Sequence, residues 1–385
     1  MKTKYSIIGA ILIMFILTSC GMAPTGNVVA DTPEKTETNI KIGVLLALSG
    51  SAASLGEEMR EAFEMANERI KKEKNMTLAL IYEDTKADTK ATVDATQKLI
   101  NIDEVPIIIG PLKSGGTLAI APITESKGIL LFSPTASSYK ITNAGDFVFR
   151  LRETSTLHGK EMAEFLYNEG HRKAATIHAQ SENSISYTLG FMNNFEKLGG
   201  AIVHEAEYDP EITDFRTFIT KLKQESPDVI YITPSVITDG AIFVKQLREL
   251  GYKGTVAGSA TLAMTDDYFD ITMGFSEDVF VTSPLLDKNT PEASSYFEKI
   301  EKITGKPGSP YGANAYDVLM LLSDAILECD VKNTCIRDYI YNTKNYRGAS
   351  GTFSFDENGD VIRPLSIKIS TETEWVDYQM ESSRT

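Results

Sequence analysis

Two loops rich in serine, threonine and glycine carry the side chains best suited to binding chemistry. The first covers residues 110–117 (GPLKSGGT) after the apolar run 105–109, and the second covers 133–138 (SPTASS) after the apolar run 128–132. Hydroxyl groups and unpaired backbone N–H groups at a helix start bind a carboxylate well. For each loop taken singly, an ordinary turn with a helix cap is the favoured interpretation from composition alone, and carboxylate binding is the alternative.

The motifs that mark common enzymes and nucleotide-binding proteins are absent from the sequence. None of the 27 glycines stands two positions from another, which excludes G-x-G-x-x-G, and no G-x-x-x-x-G-K-[ST] loop occurs. No serine has the G-x-S-x-G context of a hydrolase nucleophile, and no C-x-x-C occurs. We therefore expect no catalytic residue and no cofactor, although an enzyme without these motifs remains an alternative.

The charge balance excludes nucleic acid as a partner. The chain has 38 basic and 53 acidic residues and a formal net charge of −15, and no block of lysine and arginine offers a local exception. A surface this acidic repels phosphate backbones. Only four histidines are present, so we also expect no metal site.

The N-terminal residues have the pattern of an export signal. Lys2 and Lys4 precede an apolar run that ends near Leu17, and Thr18-Ser19-Cys20 follows. Leu-Thr-Ser-Cys resembles the bacterial lipobox, in which the cysteine is lipidated, so residues 1–19 are predicted to be a lipoprotein signal peptide. The alternative is an ordinary signal peptide with Cys20 near its cleavage site. Residues 20–39, which lack periodicity, are predicted to form a flexible tether.

The two remaining cysteines lie close together near the C-terminus. Cys329 and Cys335 flank a short polar loop between two helical patterns. Because disulfides persist in exported proteins, a local Cys329–Cys335 disulfide is the favoured interpretation, and two free thiols are the alternative.

From residue 40 onward, apolar runs alternate with helical patterns, which predicts parallel sheets covered by helices on both faces. The runs fall into two series, so we expect an α/β fold with two lobes. The predicted strands are 40–48, 78–82, 105–109, 128–132 and 147–151 in the first series, and 174–178, 201–206, 228–233, 255–258 and 279–282 in the second. A hairpin is predicted between 352–355 and 361–369, because Asn358-Gly359 favours a tight turn.

Short motifs in a fixed order extend from about residue 40 to residue 370. They are Ile42-Gly43, Leu48-Ser49-Gly50, Leu55-Gly56, Tyr82-Glu83-Asp84, Ile109-Gly110-Pro111, Ser133-Pro134, Asp214-Phe215, Ala315-Tyr316-Asp317 and Gly351-Thr352-Phe353. Each motif is weak alone, but in this order they resemble the type I periplasmic binding proteins, and most closely the leucine/isoleucine/valine-binding branch. The resemblance implies two Rossmann-like lobes joined by three hinge crossings.

The resemblance also implies which residues bind the ligand. Ser114 and Thr135-Ala136-Ser137 match positions that hold the ligand's α-carboxylate and part of its ammonium group in that family. Asn183 falls where the family often has a tyrosine that covers the ligand from the second lobe, and Tyr311 matches an aromatic residue of the side-chain pocket.

One position departs from the family pattern. Ala260 stands where an acidic residue normally neutralises the ligand's ammonium group, and a buried ammonium without a counter-charge is unfavourable. Either Asp239 or Glu182 replaces that acid, or the ligand has no ammonium group.

The function that the resemblance implies is solute capture for an ABC importer. We expect a lipoprotein at the cell envelope, on the periplasmic side or the outer face of the cytoplasmic membrane, that contacts the membrane only through its lipid. Hinge closure would trap an amino acid or other small carboxylate and present it to an ABC permease. Lobe 1 is expected at residues 40–152 and 285–346, and lobe 2 at 153–284 and 347–380. The alternatives are a ligand-sensing receptor domain on the same fold and a binder of an amide or an amine-free organic acid.

Overall fold

The computed structural model describes residues 39–210 and 212–379. The predicted signal peptide, the predicted lipidation site at Cys20 and all of the tether except residue 39 lie outside the described residues. Within the described ranges, no helix is long and apolar enough to cross a membrane.

The first sheet is built from five parallel strands in the order β2-β1-β3-β4-β5. Alternate residues of β1 face opposite sides: Ile42 and Val44 join one apolar core and Leu45 joins the other. Both faces are therefore buried, as the apolar runs predict. The strands are β1 (Asn39–Leu46), β2 (Thr77–Asp84), β3 (Ile107–Ile109), β4 (Leu130–Ser133) and β5 (Val148–Arg150), and the helices between them are α1 (Ala53–Lys74), α2 (Thr89–Asn101) and α3 (Ser114–Ser126).

The second sheet repeats this arrangement. Its parallel strands run in the order β7-β6-β8-β9-β10, with apolar cores on both faces. The strands are β6 (Lys173–Ala179), β7 (Ala201–Tyr208), β8 (Val229–Thr233), β9 (Thr255–Gly258) and β10 (Val279–Pro284), and the helices are α4 (Ser155–Asn168), α5 (Glu182–Lys197), α6 (Arg216–Gln224), α7 (Ile237–Glu249) and α8 (Asp267–Thr272).

The remaining chain divides between the two sheets. Helices α9 (Pro291–Thr304), α10 (Pro310–Cys329) and α11 (Asn333–Asn342) pack on the first core, and a small sheet of β11 (Tyr346–Gly348), β12 (Gly351–Phe355) and β13 (Val361–Ile362) joins them. Strands β14 (Leu365–Ser370) and β15 (Trp375–Asp377) extend the second sheet in antiparallel pairing. We call β1–β5, α1–α3, α9–α11 and β11–β13 lobe 1, and β6–β10, α4–α8, β14 and β15 lobe 2.

The last crossing between the lobes differs from the prediction. We expected residues 347–380 in lobe 2, but β12 and β13 pack in the lobe 1 core and the chain crosses just before β14. The reason is aromatic packing: Phe355 is fully buried, with its ring centroid 6.1 Å from that of Phe132 and 6.4 Å from that of Phe149. The predicted hairpin is present as β12–β13, but Pro364 has no N–H and the second strand is interrupted before β14.

The structure contains the expected disulfide between Cys329 and Cys335, with an S–S distance of 2.01 Å. It joins the last residue of α10 to the first turn of α11. Both cysteines pack with the lobe 1 core, Cys329 as a buried member.

Candidate functional site

A cleft of about 580 Å³, part of it open to solvent, lies between the two lobes. Both sheets reverse their strand order between their first and third strands, at β1/β3 and at β6/β8. In open α/β sheets, ligands bind beyond the carboxyl ends of the strands at such a reversal. The loops after β1, β3, β4 and β5 line the cleft from lobe 1, and those after β6, β8 and β9 line it from lobe 2.

Ser114 joins the two serine-rich loops. It is the first residue of α3, and its Oγ accepts the backbone N–H groups of Ser137 and Ser138, each at 3.0 Å. These two bonds occupy the acceptor capacity of the hydroxyl oxygen. Because Ser114 lines the cleft, its hydroxyl proton remains available to donate to a group bound there.

The Ser137 hydroxyl oxygen, like that of Ser114, accepts a hydrogen bond from within the protein. This oxygen accepts the hydroxyl of Ser155 at 2.6 Å, so its own proton is available as a donor in the cleft. Thr135 also lines the cleft, but its Oγ1 donates to the carbonyl of Leu112 at 2.8 Å and fixes the neighbouring loop. Ala136 belongs to the apolar core instead, with its N–H donating to Ser133 Oγ.

Arg152 lines the same cleft and is not among the residues that the sequence predicts for the site. Its Nη2 donates to the hydroxyl of Tyr187 at 2.6 Å and to that of Tyr311 at 3.3 Å, and its Nη1 donates to the carbonyl of Thr135 at 3.3 Å. The guanidinium carbon also lies 4.4 Å from the centroid of the Tyr311 ring. The only sequence signal for Arg152 is a cation placed directly after an apolar strand.

The position of Tyr187 depends on close contact between α4 and α5. Gly159 of α4 lies against the backbone of α5, and Gly190 of α5 lies against the backbone of α4. A Cβ atom on Gly159 would lie 2.2 Å from the carbonyl oxygen of Tyr187, and a Cβ atom on Gly190 would lie 2.3 Å from the carbonyl oxygen of Thr156. The absence of side chains there lets α5 approach α4, so that Tyr187 reaches Arg152 from lobe 2.

The other expected ligand-binding residues are distributed differently. Asn183 lines the cleft from the start of α5. Tyr311 is not part of the lining; it is fully buried behind Arg152, and its hydroxyl donates to the carbonyl of Ala260 at 3.3 Å. Ala260 is itself fully buried.

Neither acid proposed to replace the one missing at Ala260 lines the cleft. Asp239 caps α7: it accepts the N–H groups of Ser235, Val236 and Gly240 and the hydroxyl of Tyr208, and burial raises its pKa. Glu182 forms an ion pair of 2.8 Å with Lys140 at the partly exposed junction between the lobes.

The charged residues of the cleft lining are Lys113, Arg152 and Asp267. Burial lowers the pKa of Lys113. Asp267 accepts the Thr265 hydroxyl at 2.9 Å and lies 3.8 Å from the ammonium of Lys306, so a cation already faces it. Over the described ranges, no group of three or more His, Cys, Asp or Glu side chains is placed to hold a metal ion.

A second, acidic cavity adjoins the cleft. It is lined by Glu57, Glu58, Glu61 and Asp266 and shares Asp267 with the cleft. Glu58 Oε1 accepts the N–H and the hydroxyl of Ser309 at 2.6 and 2.9 Å. Burial nevertheless raises the pKa of Glu58 to about 7.

Comparison with known proteins identifies the family. The model of the periplasmic binding protein family matches residues 39–368. The chain belongs to this family. Its members are solute-binding proteins rather than enzymes, and membership implies a location outside the cytoplasm. The expectation of a type I periplasmic binding protein with two parallel α/β sheets is confirmed.

Individual relatives agree with this assignment over nearly the whole length. A Leu/Ile/Val-binding protein homologue from Brucella melitensis is 24% identical over 333 residues, which cover 85% of this chain and 89% of the relative. A leucine-binding protein from Thermotoga maritima has a TM-score of 0.84 at 27% identity, covering 88% of this chain and 98% of that one. A solute-binding protein of an ABC transporter from R. palustris, solved with benzoate, has a TM-score of 0.81 at 19% identity and covers 88% and 95% of the two chains.

The raised pKa of Glu58 predicts a pH dependence of stability. Because the folded-state pKa of about 7 exceeds the ordinary value of 4.5, the folded protein binds the extra proton. The stability that this proton confers is present below pH 4.5 and is lost as the pH rises through 7. The Glu58→Gln variant lacks this titration, so the unfolding free energy of the wild type should fall relative to that of the variant over this range.

Urea titrations at several pH values measure the effect. Glu57→Gln is the matched control, because it removes the same charge from the adjacent position, where the side chain is 45% exposed. Parallel stability profiles for the wild type and Glu58→Gln would contradict the assignment of a raised pKa to Glu58.

Proposed function

We propose that this protein captures a small carboxylate-bearing solute and delivers it to an ABC importer, without chemical conversion of the solute. The proposal rests on the direction of the hydrogen bonds at the Ser114 and Ser137 hydroxyls. Their oxygens already accept hydrogen bonds, so both hydroxyls present protons to the cleft. Two hydroxyl donors that line one cleft match the two oxygens of a carboxylate, and hydrogen bonds to a charged acceptor are stronger than neutral ones.

Closure of the two lobes supplies the capture mechanism. Lys140 and Glu182 pair across the lobes, the hydroxyl oxygens of Ser186 and Ser138 lie 3.2 Å apart, and Tyr311 of lobe 1 donates to the carbonyl of Ala260 in lobe 2. These three contacts are polar, which suits a hinge that opens and closes around the three chain crossings. The closed arrangement would present both lobes to the permease.

The proposed carboxylate site defines the class of solute as small carboxylate-bearing molecules. A branched-chain or related amino acid is the first candidate, because the relatives include proteins named for leucine, isoleucine and valine. Ser114, Thr135, Ser137 and Asn183, all of which line the cleft, would contact it directly. Ala136 and Tyr311 would act from behind the lining, by fixing the loop backbone and the Arg152 guanidinium.

The Ser114→Ala and Ser137→Ala variants test the carboxylate site. Each removes one charge-assisted hydrogen bond, so each should weaken binding by about ten- to a hundred-fold. The measurement is calorimetry with the acid that most raises the melting temperature in a screen of amino acids and small carboxylates. Ser126→Ala, at the far end of α3, is the control and should bind normally. Normal affinity in both test variants would place the binding site elsewhere.

The lipid anchor is the second part of the proposal. Cys20 is the proposed acylation site, and Cys20→Ala should abolish the diacylglyceryl mass and leave an unprocessed or unlipidated precursor. A Cys20→Ala protein that keeps the lipid mass and stays in the detergent phase would contradict the assignment.

A further inference from the structure

Arg152 is a buried cation without a counter-ion. Its side chain is 2% exposed, its Nε has no hydrogen-bond partner, and no carboxylate in residues 39–210 and 212–379 forms an ion pair with it. Its partners are two tyrosine hydroxyls and one carbonyl, all of them neutral. A buried guanidinium that lacks an anion is unfavourable unless a bound group supplies the charge.

The neighbouring acid does not meet this requirement. Glu153 forms its ion pair with another residue: its Oε1 accepts Arg363 Nε at 2.6 Å, whereas its Oε2 has no hydrogen-bond partner and lies 3.7 Å from His158 Nε2. Burial lowers the pKa of His158, which keeps the imidazole neutral. Glu153 is therefore paired with Arg363; among the described residues it attracts the Arg152 charge but forms no ion pair with it.

The rest of the cleft lining has the same imbalance. Lys113 is a second cation with no ion pair among the described residues, and the one lining carboxylate, Asp267, already faces Lys306. A zwitterionic amino acid would bring an ammonium group into a cleft with an excess of positive charge. An organic acid without an ammonium group brings only the missing anion.

We propose that Arg152 is the specificity-determining residue of the cleft and that it selects an amine-free organic acid by pairing with the ligand's acidic group. This inference rests on the proposed capture of a carboxylate-bearing solute and, within that class, favours amine-free acids over the amino acids. The guanidinium is already oriented by Tyr187 and Tyr311, so the ligand meets a rigid donor, and little side-chain entropy is lost on binding.

Three compounds that share the same side chain distinguish an amino-acid ligand from an amine-free acid. Leucine carries an ammonium group, 4-methylpentanoate replaces it with hydrogen, and isobutylmalonate replaces it with a second carboxylate. Phenylalanine, 3-phenylpropanoate and benzylmalonate repeat the series with a ring. In calorimetry on the wild-type protein, at least one acid of a series should bind about tenfold or more tightly than the matching amino acid.

Substitutions assign the selectivity to Arg152. Arg152→Gln should weaken binding of the preferred acid by at least about thirty-fold, because the partner charge is lost from a buried site. Arg152→Lys, which keeps the charge, should retain the preference for acid over amino acid. Lys160→Gln, an equal charge change on the exposed surface of α4, is the control and should leave the affinity unchanged.

Each outcome decides one claim. Tighter binding of the amino acids than of both acids in each series, or unchanged acid affinity in a folded Arg152→Gln protein, overturns the role of Arg152 while leaving the carboxylate site intact. If Arg152→Gln does not fold, the wild-type preference within each series decides alone. Binding of none of the six compounds would overturn the proposed function itself, and the inference with it.

Discussion

Two hydrogen bonds to the Ser114 hydroxyl oxygen hold together the part of the cleft on which the proposed binding depends. They tie the start of α3 to the loop after β4 and leave the Ser114 proton as a donor. The same loop is tied to lobe 2, because Ser155 at the start of α4 donates its hydroxyl to Ser137 Oγ and its N–H to the Ser137 carbonyl at 2.7 Å. The chain between the loop and α4 carries Arg152. The proposed carboxylate donors, the buried cation and one hinge crossing therefore form a single connected unit, which in the proposed function would couple binding to lobe closure.

Local charge, rather than net charge, governs what this cleft can bind. The chain carries a formal charge of −15, yet the cleft lining has two cations that form no ion pair with any described residue and one carboxylate that already faces a lysine. Surface charges farther than about 8 Å away are screened at physiological ionic strength, whereas partly buried charges are screened much less. An acidic protein can thus hold an anion, provided that the binding groups are withdrawn from solvent as Arg152 is.

The sequence predicts the sheets and the serine loops because both depend on local patterns. All ten predicted parallel strands are present, since strands buried on both faces show as apolar runs. Ser114, Thr135 and Ser137 line the cleft because the carboxyl ends of neighbouring parallel strands meet at one edge. The last lobe crossing could not be predicted, because the destination of β12 is set by contacts with Phe132 and Phe149, far away in the chain.

Roles that depend on a partner distant in sequence also escape prediction. From the sequence alone, an acid at position 239 is compatible with a ligand-binding residue and with a helix cap. The structure decides for the cap, because Asp239 accepts hydrogen bonds from Tyr208 and from N–H groups at the start of α7. Arg152 resembles any cation after a strand until the structure shows that Glu153 pairs with Arg363 instead. In both cases the decisive fact is which side chain satisfies which charge.

A crystal structure of the protein with isobutylmalonate tests the central claim most directly. The account predicts one ligand carboxylate within about 3.2 Å of the Oγ atoms of Ser114 and Ser137, and an acidic oxygen within the same distance of an Arg152 nitrogen. A ligand bound away from both serines, with Arg152 still unpaired, would contradict it.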